Sequence, residues 1–224
     1  RLGFETAYID GSVVSSNIYR PQFVSNNHKE GKKVLSSIED ELLSCDGFQI
    51  SVAFITMSGI TPLLQTLKEL EKRNIKGEIL TTNYLNFSEP RALKKLDELS
   101  NITLKMYDVE MTAEGFHTKG YIFKTDEIYR IIIGSSNITS AALTSNREWN
   151  TRLISTEQGE VAKEIVAEFK HNSLSFYFFC DRRMAVIFLP KPHLSEFYLY
   201  RYHYNIYLFL DLFYIICYYI CQVY

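Results

Sequence analysis

The sequence predicts an α/β protein whose mixed, largely parallel β-sheet is flanked by helices on both faces. Short apolar runs typical of buried strands alternate with helical patterns between residues 29 and 171. Strands joined through a helix pair in parallel, which accounts for most of the predicted sheet. Two further apolar runs, 116–123 and 131–133, follow each other closely and are expected to pair directly.

Each predicted element has its own signal. The helices have apolar residues on one face and are expected at 29–44, 58–73, 90–99 and 157–171. The strands are short apolar runs, expected at 48–55, 77–82, 102–107 and 149–155. Ser58 can cap the second helix, which has Pro62 in its first turn, and Ser88 precedes the third.

The two adjacent apolar runs carry the residues that indicate chemistry. His117 and Lys119 are two positions apart, so on a strand their side chains share a face. The second run ends in the turn Gly-Ser-Ser-Asn at 134–137, where a helix could begin. The side chains of Ser135 and Asn137, with nearby backbone N–H groups, could bind an anion there. The pattern predicts a phosphate site.

Simpler interpretations exist for each piece. A lone His-x-Lys on a strand is common, and Ser-Ser-Asn after a strand is often only a turn with a helix cap. The combination favours a functional site, because two short neighbouring strands would bring the groups together. Glu148 adds a carboxylate at the head of another strand-like run. Such a carboxylate can orient an imidazole, as the third member of a catalytic triad does.

The order His117, Lys119, Asn137, Glu148 resembles the phospholipase D (HKD) superfamily, and most of all its nuclease-like branch. Residues 29–168 are similar to the phospholipase-D-like domain at the N-terminus of certain bacterial DEAD/DEAH-box helicases. The resemblance implies a phospholipase-D-like sheet fold. One position departs from the pattern: the Asp expected five residues after the Lys is Lys124, and Asp126 is out of register. This departure weakens a lipase interpretation more than a nuclease interpretation.

The resemblance also implies a role for each site residue. His117 would attack phosphorus to form a phosphohistidine, and Lys119, Ser135 and Asn137 would hold the non-bridging oxygens, without a metal or a cofactor. Glu148 would hydrogen-bond the second ring nitrogen of His117. A second His is needed to protonate the leaving oxygen. The remaining histidines lack a Lys two positions on; they are His28, His171, His193 and His203. The second His is therefore expected to come from a second subunit of a homodimer.

Composition limits the other functions. The formal net charge is −2, so nucleic acid would have to bind a local cleft rather than a basic surface. The four cysteines are Cys45, Cys180, Cys217 and Cys221. They show neither CxxC pairing nor metal-ligand spacing, which argues against a zinc site or a disulfide framework. This usage favours the reducing cytoplasm as the location. The chain opens without a signal-peptide pattern, and Arg1 in place of Met suggests a processed or fragmentary product.

We expect three segments: an arm at 1–27, the phospholipase-D-like nuclease domain at 28–172, and an atypical aromatic-rich tail at 173–224. The tail has three interpretations. It could be the product of a frameshift or truncation, or a packing or dimer segment. It could also hold a membrane span at 206–223, although Asp211 lies inside that stretch and makes a membrane partner the least favoured of the three.

Two classes of function follow. The first is a phosphodiesterase that cleaves nucleic acid, with DNA as the expected substrate, in a restriction, defence or repair setting linked to a helicase. The second is a catalytically inactive module that binds nucleic acid or dimerises and docks a helicase, and phospholipid hydrolysis is a distant third. Tyr84, Phe87 and Tyr107 are candidates for stacking on bases, although packing at the core or its rim is the favoured alternative for each.

Overall fold

The structure is a computed structural model that describes residues 19–107, 109, 115–175 and 177–178. Over these residues eight strands form one sheet with the order β1-β7-β6-β5-β2-β3-β4-β8. In chain order the strands are β1 (Gln22–Val24), β2 (Gly47–Val52), β3 (Lys76–Thr82), β4 (Ile102–Tyr107), β5 (Lys119–Thr125), β6 (Ile128–Gly134), β7 (Asn150–Thr156) and β8 (Tyr177–Phe178).

The predicted mixed sheet is confirmed, but it is less parallel than expected. The pairs β2–β3 and β3–β4 are parallel. The other five neighbouring pairs are antiparallel. The reason is the length of the connections: β5 and β6 are joined by a turn at Asp126 and Glu127, and a tight turn reverses the chain direction where a helical crossover restores it.

Helices cover both faces of the sheet, as predicted. They are α1 (Val34–Ser44), α2 (Met57–Ile60), α3 (Leu64–Lys72), α4 (Pro90–Asp97), α5 (Ser140–Thr144) and α6 (Glu160–Ser175). On one face, Val166 and Phe169 of α6 pack in a cluster with Ile122 and Ile131 of the sheet. On the other face, the buried Glu41 of α1 pairs with Arg152 of β7, at 2.9 Å. The opposite faces reflect the alternation of side chains along a strand.

The starts of the first two predicted helices differ from the prediction. The first helix begins at Val34 instead of residue 29, because Gly31 is left-handed (φ 67°) and ends a short 3-10 turn. Pro62 lies in a 3-10 turn, Thr61–Leu63, that separates α2 from α3. Thr56, not Ser58, caps α2 by accepting a bond from the Gly59 N–H at 3.1 Å. The third predicted helix, α4, begins at Pro90 as predicted, although the Ser88 hydroxyl bonds the backbone of Ala53 and does not cap it.

The predicted arm and tail lie mostly outside the described residues, as do the candidate span 206–223 and three of the four cysteines. Within the described part, β1 pairs with β7 and β8 pairs with β4. Cys45 is buried, which raises the pKa of its thiol to about 11. Across the described ranges, no helix is both long and apolar enough to cross a membrane.

Candidate active site

The predicted site residues meet at one end of the central strands. Because β5, β6 and β7 pair antiparallel, the residues before β5, after β6 and before β7 lie at the same edge. His117 precedes β5, Asn137 follows β6, and Glu148 precedes β7. Lys119 is the first residue of β5 and Ser135 directly follows β6. The topology thus brings the five side chains to one region.

His117 and Lys119 are in direct contact. The Lys119 Nζ lies 2.6 Å from His117 Nδ1 and 3.2 Å from Nε2, and it also donates to the His117 carbonyl at 2.9 Å. Two neighbours hold this segment: Phe116 is buried in the cluster beneath α6, and the Thr118 hydroxyl bonds Ser51 at 2.5 Å. His117 itself is exposed, so its ring faces solvent at a fixed place.

The charge of Lys119 is tuned by two opposing effects. Burial lowers the pKa of its ammonium below the ordinary value of 10.5, and the Glu148 carboxylate opposes that shift. The dominance of desolvation means that the ammonium is poorly solvated by its surroundings. A phosphate oxygen that reached Lys119 would therefore gain a strong, charge-assisted hydrogen bond.

Ser135 and Glu148 contact each other. The Ser135 hydroxyl donates to the Glu148 carboxylate, and Ser135 Oγ also accepts from the Trp149 N–H at 3.1 Å. The Ser135 N–H donates to the Trp149 carbonyl at 3.1 Å. Glu148 was expected on the His117 ring and Ser135 on a phosphate; in this structure the two side chains engage one another. Their pairing follows from the register, in which Gly134 faces Asn150.

Asn137 is held by a backbone group that the sequence analysis did not consider. The Phe54 N–H donates to its Oδ1 at 3.0 Å. Asn137 is half-buried, and this bond uses its amide oxygen, which leaves the amide N–H groups to donate to an acceptor. The expected helix start is displaced: α5 begins at Ser140 and is capped by Thr139, so Asn137 is not at a helix N-terminus.

Three buried residues beneath the site were not predicted. The Tyr121 hydroxyl donates to the Ser136 carbonyl at 2.9 Å, and burial raises the pKa of that phenol. Asn150 Nδ2 donates to the Ser136 hydroxyl at 2.9 Å and to the Val24 carbonyl at 3.1 Å. These bonds hold the middle of the turn that carries Ser135 and Asn137. The available signal was spacing, because Tyr121 lies two residues after Lys119 and shares its face of β5.

Lys124, which occupies the Asp position of the HKD pattern, lies near the far end of β5. Its Nζ pairs with Glu157 at 2.5 Å and lies 5.8 Å from the ring centroid of Tyr129. It lies five positions from Lys119 along the strand, which corresponds to roughly 17 Å. The departure from the pattern therefore falls outside the group of site residues.

Aromatic rings border the site on the side of β2 and β3. The Phe54 ring lies 5.9 Å from the His117 ring and 5.0 Å from the Phe87 ring, edge to face in both cases. Among the described residues, no group of three or more His, Cys, Asp or Glu is placed to hold a metal ion. The five site side chains supply an imidazole, an ammonium, a hydroxyl, an amide and a carboxylate.

Comparisons with known proteins agree with this fold. Residues 42–173 match the model of the family described as cardiolipin synthase, PLD-like domain. Similar solved structures include NucT from Helicobacter pylori, with a TM-score of 0.56 and 16% identity over 72% of this chain and 99% of that chain. The phospholipase D family member Nuc from Salmonella typhimurium gives 0.54 and 17% over 71% and 99%.

Phosphatidylserine synthase from Haemophilus influenzae gives a TM-score of 0.56 and 15% identity over 75% of this chain and 41% of that chain. None of the curated proteins matches the sequence. At these identities the structural likeness shows the fold alone.

Proposed function

The chain belongs to the family of cardiolipin synthase-type, PLD-like domains, a superfamily of phosphodiesterases, and on this premise we propose that it is a metal-independent phosphodiesterase that cleaves nucleic acid. One observation carries the proposal: the fold places the imidazole of His117 beside the ammonium of Lys119, at 2.6 Å, with Asn137 at the same edge of the sheet. A nucleophile beside two phosphate-binding groups is the arrangement that phosphoryl transfer needs.

In the first step a ring nitrogen of His117 forms a bond to phosphorus, and the bond from phosphorus to the leaving oxygen breaks. Lys119 and Asn137 hold the non-bridging oxygens as charge develops there. Because Lys119 lies against both ring nitrogens in this structure, binding a phosphate would draw its ammonium from the ring to an oxygen and release the nucleophile. Water then attacks the phosphohistidine: a bond forms from the water oxygen to phosphorus, and the bond from phosphorus to nitrogen breaks. A phosphate monoester is released, the imidazole of His117 is restored, and the proton of the water passes to the second histidine introduced below.

Glu148 and Ser135 have a supporting role in this proposal. The carboxylate favours the ammonium of Lys119 electrostatically, as its effect on the pKa of that residue indicates. It can also stabilise the imidazolium that forms when His117 carries a proton. The Ser135 hydroxyl, which donates to Glu148, fixes the carboxylate and can turn to a phosphate oxygen when substrate is present.

The leaving oxygen needs a proton, and we propose that the His117 of a second copy supplies it across a two-fold axis. One of the five histidines of the chain has a Lys two residues on, so a single chain offers one half-site. Exposed apolar side chains next to the site support such a contact. Phe23 and Trp149 pack edge to face at 5.9 Å, and Ile133 lies in the same cross-strand row as Phe23.

DNA as substrate and a restriction, defence or repair setting with a helicase portion come from the resemblance to nuclease-like and helicase-linked domains, and the cytoplasm as location comes from the cysteine pattern. They remain part of the proposal. The net charge of −2 requires that strand binding depend on groups in the cleft such as Lys119.

The test is cleavage of labelled single- and double-stranded DNA in excess EDTA by the wild-type chain and by His117→Ala. We expect EDTA-resistant cleavage that falls by at least about 10³-fold in the variant, because the nucleophile is lost. His171→Ala is the matched control, since His171 is an exposed histidine on α6. Cleavage that persists in His117→Ala would contradict the proposal.

A second function is favoured by one contact. Glu148 engages Ser135 rather than the His117 ring, so in this structure the carboxylate does not orient the imidazole. A catalytically inactive module that binds a strand phosphate through Lys119 and Asn137 would look the same. DNA binding that is weakened by Lys119→Ala, without cleavage by the wild-type chain under any condition, would identify this module.

A further inference from the structure

The segment that follows β3 presents apolar side chains to solvent beside the site. Tyr84, Leu85 and Phe87 are 42%, 63% and 53% exposed, although each is large and apolar. We call residues 84–87 the aromatic loop. Exposed apolar side chains that are contiguous, unlike scattered ones, indicate a binding surface. Tyr107, the third stacking candidate, is buried in the core.

The aromatic loop is connected to the nucleophile through one ring. Phe54 contacts the His117 ring on one side, at 5.9 Å, and the Phe87 ring on the other, at 5.0 Å. A phosphodiester carries a substituent on each side of its phosphorus, and these ring distances leave the aromatic loop within one side chain of the nucleophile. A group attached to the bound phosphate therefore has the right position to cover the aromatic loop.

The aromatic loop is held firmly at both ends. The Tyr84 N–H donates to the Thr82 hydroxyl at 3.1 Å and the Asn86 N–H to the Asn83 carbonyl at 3.0 Å. On the other side the buried Ser88 hydroxyl donates to the Ala53 carbonyl at 3.3 Å. Between these anchors Leu85 and Asn86 are both left-handed, at φ 49° and 55°. A loop fixed in advance loses little entropy when it binds a flat ring.

The charges near the aromatic loop favour a nucleobase over an anionic lipid as the group that covers it. A surface that binds anionic lipid carries a cluster of basic side chains. Residues 84–91 contain one acid, Glu89, and one base, Arg91. The Glu89 carboxylate is also used, since it accepts from the Met57 N–H at 2.9 Å. A nucleobase needs no charge here, because stacking on an aromatic ring binds any base and Lys119 supplies the charge for the phosphate.

We propose that the aromatic loop and Phe54 stack on the base next to the phosphate held by His117 and Lys119, so that the protein selects unpaired over duplex nucleic acid. A base in a duplex is stacked and paired, and it would have to be unstacked before it reached these rings. This inference rests on the proposed function, since it takes a nucleic-acid phosphodiester as the ligand of the site.

The test measures binding and cleavage separately. The variants are Phe87→Ala, Phe87→Leu, which keeps an apolar side chain but removes the ring, and Tyr84→Ala. Leu43→Ala is the control, because Leu43 is an exposed apolar residue of α1. The ligands are a fluorescent single-stranded DNA, its duplex, and a strand of tetrahydrofuran abasic nucleotides that keeps the backbone and lacks bases. Binding is read by fluorescence anisotropy and cleavage in EDTA.

We expect the wild-type chain to prefer single-stranded DNA to the duplex and to the abasic strand. Both Phe87 variants should lose about tenfold in affinity for single-stranded DNA, a loss typical of one stacked base, and should bind the abasic strand unchanged. Leu43→Ala should match the wild type. Equal losses on all three ligands, no loss, or a wild-type chain without preference for unpaired bases would overturn the inference.

Two further outcomes are informative. Loss of sedimentation with phosphatidylglycerol vesicles in Phe87→Ala, with DNA binding intact, would overturn the inference and assign the loop to a lipid surface. A wild-type chain that cuts no strand, yet binds single-stranded DNA in a manner that depends on Phe87, would overturn the proposed hydrolysis and leave the base-stacking inference supported.

Discussion

Lys119 connects the groups of the site. Its ammonium contacts the His117 ring and is influenced by the charge of Glu148, while burial opposes that charge. A half-buried lysine such as Lys119 is a stronger phosphate ligand than a fully exposed one because less water competes with it, and it loses its proton at a lower pH for the same reason. Activity should therefore be sensitive to pH through this residue.

We expect kcat/KM to fall as pH rises through the lowered pKa of Lys119, at a pH below 10.5. The sign follows because the charged ammonium is the active form and exists below that pKa. In Glu148→Gln the opposing charge is gone, so this alkaline limb should move to lower pH. In Lys119→Arg the rate should drop by about 10²-fold, and the alkaline limb should disappear because arginine keeps its charge. A limb that stays in place in both variants would assign it to another group.

The turn between β6 and α5 is the element that positions the phosphate ligands. Tyr121 and Asn150 bond Ser136 from below. The Ser135 N–H donates to the Trp149 carbonyl, and the Ser135 hydroxyl accepts from the Trp149 N–H. The strands approach closely here: a Cβ on Gly134 would lie 2.2 Å from the Trp149 carbonyl oxygen and 2.5 Å from Asn150 Oδ1. A side chain at this position would push Ser135 and Asn137 apart from β7.

Gly134→Ala should lower the free energy of unfolding by about 1–3 kcal/mol, as expected for overpacking, and should also reduce phosphodiesterase activity. Gly47→Ala is the matched control in the same sheet, since its Cβ would meet only the Lys76 carbonyl oxygen, at an ordinary 3.6 Å. Urea unfolding and cleavage assays compare the two. Equal stability of the two variants would show that the close approach is relieved without cost.

At the scale of the whole molecule, the proposed chemistry depends on a second copy. The outer strands β1, β7 and β6 form one lateral edge of the sheet. This edge presents the exposed side chains of Phe23, Trp149 and Ile133 near Glu148, and Trp149 is 76% exposed. Trp149 is also the single tryptophan of the chain, so its fluorescence reports on this edge alone. An apolar edge beside an incomplete site is the natural place for a two-fold contact.

We expect light scattering to give twice the 26.1 kDa mass of one chain. On dilution, Trp149 emission should move to longer wavelength as the contact opens, and activity should fall over the same concentration range. Ile133→Lys should yield a monomer with little activity and an emission maximum that does not depend on concentration. A monomeric wild-type chain with full activity would contradict the dimer.

The sequence alone determined the order of most elements and the main site residues. Ile102–Tyr107 and Lys76–Thr82 match their predicted strands to within a residue, because an apolar run of that length is a local property of the chain. His117, Lys119 and Asn137 were identified because their residue types and spacing are themselves sequence facts. Their arrival at one edge followed from the expected pairing of two adjacent strands.

Tertiary structure alone decided the hydrogen bonds among these residues. The contacts of Glu148 and Ser136 depend on the register of β6 against β7. The bond from the Phe54 N–H to Asn137 joins residues that are 83 positions apart in the sequence. Tertiary structure also decided that Tyr84 and Phe87 face solvent while Tyr107 is buried, since a sequence pattern does not separate a ring in a surface loop from a ring in the core. Long-range contacts have no local signal, and the proposed chemistry depends on such contacts.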